Sequence, residues 1–306
     1  METRQLGKDG PQVSVLGFGA WPIGGAMGTV DRQTAVRTIH AAIDHGITLI
    51  DTAQSYRASE SILGEALKGR RDDVFLATKV SGKYGRDDID HAMANSLQQL
   101  DVDYVDLYQV HSWKVQYPIE ETMAAMDALR TSGRTRYIGV SNFDASQMQL
   151  ALSLAPVQSS QPQYNMFDRW IENEDIPFCR DNGIGILAHS PLAKGLLAGR
   201  YTLEHRFPWT DERSSMRAFN GETFRQYLAL VDQLKVIAAD KGLTMVQLAI
   251  AWILHEPTVS SVLIGAKNVH QIEEAVGAVG VRFSEGELDS IESILAQRPA
   301  GRTYDM

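Results

Sequence analysis

The sequence has a single cysteine, Cys179, among its 306 residues. One cysteine cannot form an internal disulfide, and it has no second thiol with which to hold a metal ion. Residues 1–10 lack the apolar core of a secretory signal, and no apolar run approaches the roughly 18 residues of a membrane-spanning helix. Nothing in these patterns indicates an oxidising compartment, so we predict a cytoplasmic protein with no membrane partner.

Positive charge is also scarce. Lysine and arginine number 29 against 38 aspartate and glutamate residues, which gives a net charge of -9, and no basic cluster is long enough to follow a phosphate backbone. We therefore expect no nucleic-acid partner. Hydrophobic residues make up 44% of the chain and charged residues 22%, which is enough apolar material for a sizeable core.

Short apolar runs rich in β-branched residues alternate with longer segments of helical period, as in repeated βαβ units. Strands are predicted at residues 16–20, 48–51, 74–79, 105–111, 135–140, 158–161, 185–189 and 260–264. Helices are predicted at residues 32–45, 59–67, 89–100, 119–131, 145–154, 172–182, 223–240 and 268–276. The equal numbers of strands and helices predict a parallel sheet with a helix after every strand.

Three segments do not belong to this repeat. Residues 4–6 and 13–15 predict a short hairpin that closes the floor of a barrel, and residues 245–255 predict an extra helix. Residues 191–221 form a stretch without a regular pattern, which is long for a compact domain and indicates a binding loop or lid.

The alternative architecture is an open doubly wound sheet, whose signature is the G-x-G-x-x-G fingerprint. The first glycine cluster has Gly17 and Gly19, but Pro22 stands at the last position of the pattern and a loop follows instead of a helix. We therefore predict one α/β domain over residues 1–306, a (β/α)8 TIM barrel with an N-terminal hairpin and a long loop after strand 7.

Polar residues at the carboxyl ends of the strands are the first candidates for chemistry, because the active site of such a barrel lies there. Asp51 ends the second predicted strand, Tyr56 follows five residues later, Lys79 ends the third, and His111 ends the fourth. Each alone is consistent with a structural role, such as a helix cap for Asp51 or a core histidine for His111. On three successive strand ends, the four together indicate a catalytic site.

This set can protonate an oxygen while hydride arrives at a carbonyl carbon. Free tyrosine has a pKa of about 10, and a nearby ammonium group lowers it by stabilising the phenolate. Lys79 would supply that ammonium, and Asp51 would keep the buried lysine charged. His111 could donate a hydrogen bond to the carbonyl oxygen.

The sequence closely resembles the aldo-keto reductase superfamily from residue 16 to about residue 277. The resemblance is carried by residues 49–56, followed by Ser59, Glu60, Leu63 and Gly64, and by residues 118–122 and 137–143. It implies that Asp51, Tyr56, Lys79 and His111 are the catalytic tetrad, with Tyr56 as proton donor. The implied reaction is reversible hydride transfer between NADP(H) and an aldehyde, ketone or alcohol.

The same resemblance implies the cofactor contacts. Ser141, Asn142 and Gln161 match positions that hold the nicotinamide carboxamide. Residues 190–197 match the phosphate-binding loop, in agreement with the independent expectation that barrel phosphate sites follow strands 7 and 8. The remaining residues assigned to the cofactor are Ser190, Leu192, Lys194, Gly195, Arg200, Arg213, Gly265, Lys267, Gln271 and Glu274. The local excess of Arg200, Arg213 and Lys267 suits the 2′-phosphate of NADP, although each could be a solvated loop charge, and NAD is possible.

Two positions depart from the family pattern. His189 stands where a tyrosine or tryptophan usually stacks on the nicotinamide, and Ala275 stands where an asparagine usually faces the adenine. His189 is nevertheless assigned to the cofactor site. Trp21 and Trp113 are predicted to form walls of the substrate pocket, although both could be aromatic residues covering the rim of the barrel.

Two other functions remain as alternatives. Channel-associated β subunits share this fold and tetrad, so a cofactor-binding regulatory or redox-sensing subunit with little turnover is one. A metal-dependent hydrolase is a weaker one, because it needs clustered ligands and only Asp51 and His111 qualify. We therefore predict no metal, a small carbonyl or alcohol substrate, and leave the direction of the reaction and the oligomeric state open.

Overall fold

The computed structural model describes residues 1–25 and 28–303. The strands in this part of the chain are β1 (Thr3–Gln5), β2 (Gln12–Ser14), β3 (Leu16–Gly19), β4 (Leu49–Asp51), β5 (Phe75–Val80), β6 (Val105–Val110), β7 (Thr135–Ser141), β8 (Val157–Gln161), β9 (Gly185–Ala188) and β10 (Val259–Ile264). Strands β3 to β10 pair in parallel and in chain order, and β10 pairs back to β3. This closed barrel confirms the predicted (β/α)8 fold.

The helices of the described residues surround the barrel. They are α1 (Arg32–Asp44), α2 (Ser59–Ala66), α3 (Arg86–Leu100), α4 (Ile119–Thr131), α5 (Ala145–Leu154), α6 (Asp175–Asn182), α7 (Gly221–Asp240), α8 (Met245–Leu254), α9 (Val269–Val276) and α10 (Glu285–Leu295). Helix α10 was not predicted, although Ser284 and Glu287 form a capping box at its start, which is a signal that the sequence contains.

The long segment after β9 is more regular than predicted. It contains 3-10 turns at Ala193–Ala198, Glu212–Ser214 and Arg217–Phe219, and α7 begins at Gly221, two residues earlier than expected. Tertiary contacts hold these short turns, whose sequence carries no helical period.

The interior of the barrel is divided into an apolar lower layer and a polar upper layer. Leu49, Ala77 and Leu107 are buried in one cluster inside the barrel. Because successive side chains alternate between the two faces of a strand, the residues two positions further along β4, β5 and β6 also face inward. Asp51, Lys79 and Gln109 occupy those three positions, and they form the polar layer toward the carboxyl ends of the strands.

The N-terminal hairpin closes the opposite end of the barrel. Its strands β1 and β2 pair antiparallel, with Thr3 opposite Ser14, so each lies one residue before its predicted position. The backbone amide of Lys8 donates to the carbonyl of Gly183 at 2.7 Å, just before β9. Leu6 is fully buried and joins the interior cluster of the barrel. The hairpin therefore forms the floor, as the sequence predicts.

Among the described residues, no individual helix has both the length and the apolar character needed to cross a membrane. Helices α7 and α8 meet at 86° and reach those criteria only as a bent pair, judged by length and composition alone.

Candidate active site

Lys79 and Asp51 form a buried ion pair in the polar layer of the barrel. The Nζ atom of Lys79 lies 2.5 Å from Oδ1 of Asp51 and donates to the carbonyl oxygen of Thr52 at 2.8 Å. Lys79 is fully buried, and Asp51 is 2% exposed. Burial is the largest single effect and disfavours the charged amine, but Asp51 and Tyr56 together outweigh it, so the pKa of Lys79 stands above its ordinary value and the lysine stays protonated.

The second oxygen of Asp51 is held by two amides. Oδ2 accepts from Nε2 of Gln109 at 3.1 Å and from Nε2 of Gln161 at 2.9 Å. Gln109 was missed in the sequence, although it lies two positions before His111 on a buried strand and therefore faces inward. A Cβ atom on Gly139 would lie 2.3 Å from Oγ of Ser159 and 3.2 Å from Cγ of Gln109, so the glycine leaves room mainly for Ser159 and also for Gln109.

Tyr56 lies over the lysine at the base of the cavity. Its hydroxyl oxygen is 3.5 Å from Nζ of Lys79, and its ring makes edge contacts with Trp21 and His111 at centroid distances of 4.8 and 5.6 Å. Burial raises the pKa of Tyr56 above its ordinary value, and the opposing effect of Lys79 is smaller. The predicted influence of the lysine is therefore present but outweighed by burial, and the tyrosine holds its proton at neutral pH.

The backbone at Tyr56 is approached closely by Gly24. A Cβ atom added to Gly24 would lie 2.1 Å from the carbonyl oxygen of Tyr56, well inside van der Waals contact. Gly24 ends a 3-10 turn, Pro22–Gly24, that follows β3. The turn can lie against the loop that carries Tyr56 only because this residue has no side chain, a requirement that no local sequence pattern indicates.

His111 completes the tetrad and is neutral. Burial, reinforced by the positive charge of Lys79, lowers the pKa of its imidazole to about 3. Nδ1 of the ring lies 2.7 Å from Oγ of Ser81, and the backbone carbonyl of His111 accepts from Nδ2 of Asn142 at 3.0 Å. A neutral imidazole can offer one N–H group to a ligand in the cavity.

Ser141, Asn142, Gln161 and His189 are joined by hydrogen bonds beside the tetrad. Ser141 donates to the carbonyl of Gln161 at 2.8 Å, and Nδ2 of Asn142 donates to Oγ of Ser141 at 3.0 Å. Nε2 of His189 lies 3.1 Å from Oδ1 of Asn142, so this nitrogen must carry the proton. Burial lowers the pKa of His189 to about 3, and the neutral ring orients the Asn142 amide.

A cavity of about 700 Å³ opens above these residues at the carboxyl ends of the strands. Most of the predicted site residues line it: Trp21, Asp51, Tyr56, His111, Ser141, Asn142, Gln161, His189, Ser190, Leu192, Lys194, Gly195, Arg200, Arg213, Gly265, Lys267, Gln271 and Glu274. Lys79 lies beneath Tyr56, inside the barrel wall. Trp113 packs edge-on against Phe143 at 5.2 Å instead of lining this cavity, which does not support its predicted role as a pocket wall.

Some lining residues were not predicted. Val246 and Ile250 come from α8, the helix outside the repeat, and Tyr201 comes from the long loop after β9. Val246 and Ile250 are spaced as one face of an apolar helix, which in a sequence cannot be distinguished from ordinary core. Ala275 also lines the cavity, at the position where the family pattern has asparagine.

The turn after β9 has an unusual backbone. Ser190, Ala193 and Lys194 have positive φ angles of 58°, 45° and 53°, and Gly195 follows with 93°. Such conformations are unfavourable for residues with a side chain and persist where the surroundings require them, often at ligand sites. Turns that combine right- and left-handed residues direct their amide groups into a concavity that suits an anion.

Three cations lie near one another at the outer end of the cavity. Burial lowers the pKa of Lys267, the charges of Arg213 and Arg200 act in the same direction, and the charge of Asp211 opposes them without reversing the shift. Arg213 donates to both carboxylate oxygens of Asp211 and, at 2.7 Å, to the hydroxyl of Tyr201. Lys194 pairs with Glu212. The mutual repulsion of Lys267, Arg213 and Arg200 would be relieved by an anion bound between them.

Within residues 1–25 and 28–303, no group of three or more histidine, cysteine, aspartate or glutamate side chains is arranged to hold a metal ion.

Comparison with known proteins identifies the family. The sequence model of the Aldo/keto reductase family matches residues 15–296. Aldo-keto reductase YhdN of Bacillus subtilis is 39% identical over 96% of this chain and 94% of its own, and a probable voltage-gated potassium channel subunit beta of Arabidopsis thaliana is 36% identical over 98% of each chain. The structure of a glycerol dehydrogenase from Gluconobacter oxydans is similar with a TM-score of 0.89 and 32% identity, covering 99% of this chain and 98% of that one. This chain therefore belongs to the aldo/keto reductase family of oxidoreductases.

Proposed function

We propose that this protein transfers a hydride reversibly between NADP(H) and an aldehyde, ketone or alcohol, with Tyr56 as the proton donor. The observation that carries the proposal is the buried chain of contacts from Asp51 through Lys79 to Tyr56 at the base of the cavity. A fully buried lysine beside a tyrosine hydroxyl serves no evident packing purpose, since an apolar residue would fill the same volume at lower cost in desolvation.

The residues of the cavity fit a nicotinamide dinucleotide. Ser141, Asn142 and Gln161 bring hydroxyl and amide groups together, and such groups can bond both the oxygen and the nitrogen of a carboxamide. Within the described residues, Oε1 of Gln161 accepts no hydrogen bond from the protein, which leaves it able to accept one from an amide nitrogen. The turn at 190–195 and the end of β10 lie where barrels commonly bind phosphate. When bound, the nicotinamide would supply or accept the hydride.

The remaining steps belong to the protein. Tyr56 holds a proton at its hydroxyl oxygen and gives it to the substrate oxygen as negative charge develops there. Lys79, 3.5 Å away, stabilises the phenolate that remains, and Asp51 keeps the lysine charged. Neutral His111 presents an N–H group to the same oxygen and orients it. In the direction of oxidation, the same groups act in reverse.

The preference for NADP rests on Arg200, Arg213 and Lys267. Their charges interact at the outer end of the cavity, although the protein as a whole is acidic. A 2′-phosphate placed among them would gain charge-assisted hydrogen bonds that the hydroxyl of NAD cannot make.

A second candidate function follows from the similarity to the Arabidopsis protein, a probable voltage-gated potassium channel subunit beta. On that view, this chain binds the cofactor tightly and acts as a regulatory or redox-sensing subunit with little turnover.

The purified protein should be tested with NADPH and NADH against aldehydes, ketones, sugars and steroids, and with the oxidised cofactors against alcohols that include glycerol. Consumption or formation of the reduced nicotinamide measures turnover, and fluorescence titration measures cofactor binding. Turnover with a preference for the phosphorylated cofactor is the expected result. Tight binding with negligible turnover on every compound would favour the regulatory function instead.

A further inference from the structure

Ser81 lies beside the His111 ring, on the loop that follows β5. Its Oγ atom is 2.7 Å from Nδ1 of His111, the nitrogen opposite the one that can reach a ligand. The backbone amide of Ser81 donates to Oε1 of Gln54 at 3.4 Å, which helps to fix the position of the serine. No role was assigned to Ser81 from the sequence.

The hydroxyl group of Ser81 has one proton and two neighbouring acceptors. Besides Nδ1 of His111, it lies 3.1 Å from Oγ of Ser55. A neutral imidazole carries one proton, on either Nδ1 or Nε2. When the serine donates to Nδ1, the imidazole proton must be on Nε2. When the serine donates to Ser55 instead, Nδ1 must carry the proton, and Nε2 becomes an acceptor.

We propose that Ser81 is a positioning residue that donates to Nδ1 of His111 and thereby keeps the imidazole proton on Nε2, where it faces a bound carbonyl oxygen. The inference rests on the proposed function, in which His111 is a hydrogen-bond donor. The Oγ atom of Ser81 lies closer to Nδ1 of His111, at 2.7 Å, than to Oγ of Ser55, at 3.1 Å. Within the described residues, Nε2 has no hydrogen-bond partner in the protein, while His111 lines the cavity.

The ring is also fixed from its backbone side. Nδ2 of Asn142 donates to the carbonyl of His111, and Tyr56 contacts the ring edge-on. These contacts set where the imidazole lies but not which nitrogen carries the proton. Among these contacts, only the one with Ser81 distinguishes the two tautomers.

The test combines nitrogen NMR with kinetics. In protein labelled with 15N in its eight histidine rings, two-bond proton–nitrogen correlations distinguish the two tautomers, and the His111→Gln variant assigns the resonances of His111. We expect the wild type to carry the proton on Nε2. Ser81→Ala should lose this single tautomer and lower kcat by roughly tenfold, the size of one lost hydrogen bond, with an unchanged Kd for the cofactor.

Two variants act as controls. Ser81→Thr keeps the hydroxyl and should restore both the tautomer and most of kcat, which a general packing defect at this position would not allow. Ser55→Ala removes the competing acceptor and should leave the proton on Nε2.

A wild-type imidazole protonated on Nδ1, or a Ser81→Ala variant with wild-type kcat, would overturn the proposal. Failure of the underlying function is visible separately. If His111→Gln keeps wild-type turnover, His111 is not the donor and the role of Ser81 is lost with it, whereas loss of turnover in His111→Gln but not in Ser81→Ala rejects Ser81 alone.

Discussion

The Nζ atom of Lys79 lies 3.5 Å from the hydroxyl oxygen of Tyr56, within reach of the phenolate that proton donation would leave behind. Tyr56→Phe removes the proton and keeps the ring, so its contacts with Trp21 and His111 should survive. We expect kcat to fall by roughly 10²- to 10⁴-fold, the usual contribution of a general acid, while the cofactor Kd stays within about twofold. Steady-state kinetics and fluorescence titration measure the two effects.

The matched control for this variant is Tyr104→Phe. Tyr104 lies just before β6, at the end of that strand away from His111 and the cavity, and its hydroxyl accepts from Arg136. The Tyr104→Phe variant should keep wild-type kcat. Substantial turnover in Tyr56→Phe would assign proton donation to another residue.

Lys79→Met leaves the buried Asp51 carboxylate without its counter-charge. Removing one partner of a buried ion pair typically destabilises a protein by about 3–5 kcal/mol, and we expect a loss of that order in the free energy of unfolding as well as a loss of activity. Denaturant titration followed by fluorescence measures the first effect. The double variant Asp51→Asn, Lys79→Met removes both charges and should regain much of the stability without regaining activity. Equal stabilities of the single and double variants would contradict this account.

The rate of reduction should change little with pH across the neutral range. Tyr56 must be protonated to donate, and burial raises its pKa above the ordinary value of about 10, so protonation is lost only in more alkaline solution. The pKa of His111 is lowered to about 3, so the imidazole stays neutral at any pH above about 5. The check is kcat for carbonyl reduction from about pH 6 to 9. An alkaline loss of rate with an apparent pKa near 7 would show that the environment of Tyr56 differs from the one described.

Gly24→Ala should lower kcat without a change at any residue of the tetrad. The added Cβ would meet the carbonyl oxygen of Tyr56 at 2.1 Å, so the loop that carries the tyrosine must move. Small displacements of a reacting group cost large factors in rate, and we expect a loss of at least roughly tenfold. Gly286→Ala is the matched control, because an added Cβ in α10 meets no atom within 4 Å apart from the backbone of its own helix and its chain neighbours, and alanine favours the helix. That control should keep wild-type kcat and gain slightly in stability.

Lys267→Ala should weaken NADPH binding more than NADH binding, because only NADPH carries the 2′-phosphate. A charge-assisted contact of this kind is worth roughly ten- to a hundredfold in affinity, and sharing of the phosphate with Arg200 and Arg213 would place the effect at the low end. The ratio of the two dissociation constants is measured at fixed ionic strength, with the exposed Lys68→Ala as control. An unchanged ratio would remove Lys267 from cofactor selection.

Asp51, Lys79 and His111 could be proposed from the sequence because the end of a strand is a local pattern, and Tyr56 because it follows Asp51 in the motif shared with the family. Asp51, Lys79 and His111 lie at predicted strand ends, where closure of the barrel brings them to one face. Gln109 could have been found by strand parity, since it faces inward two positions before His111. Gly24 could not, because the contact that makes its missing side chain necessary is with a residue 32 positions away in the chain.

The electrostatic predictions were less complete than the geometric ones. The effect of Lys79 on Tyr56 has the expected direction, but the outcome depends on how deeply the tyrosine is buried, and depth is a property of the folded chain. His189 is a second residue whose surroundings could not be predicted from the sequence. Its departure from the family pattern was visible in the sequence, but its hydrogen bond to Asn142 becomes visible only when β7 and β9 are placed in one barrel.

Folding and ligand contact depend on different residues of this barrel, since the apolar layer lies below and the cavity lining lies above. Substitutions at Leu49 or Leu107 are expected to act on folding, whereas a substitution at Trp21 is expected to change the wall that a substrate would meet. Because these positions lie at different heights along one axis, a lineage could alter the compounds that it accepts while its core stays intact. The residues that stabilise the core and the residues that line the cavity can therefore change separately, and new substrate ranges are expected to evolve at the rim around the cavity.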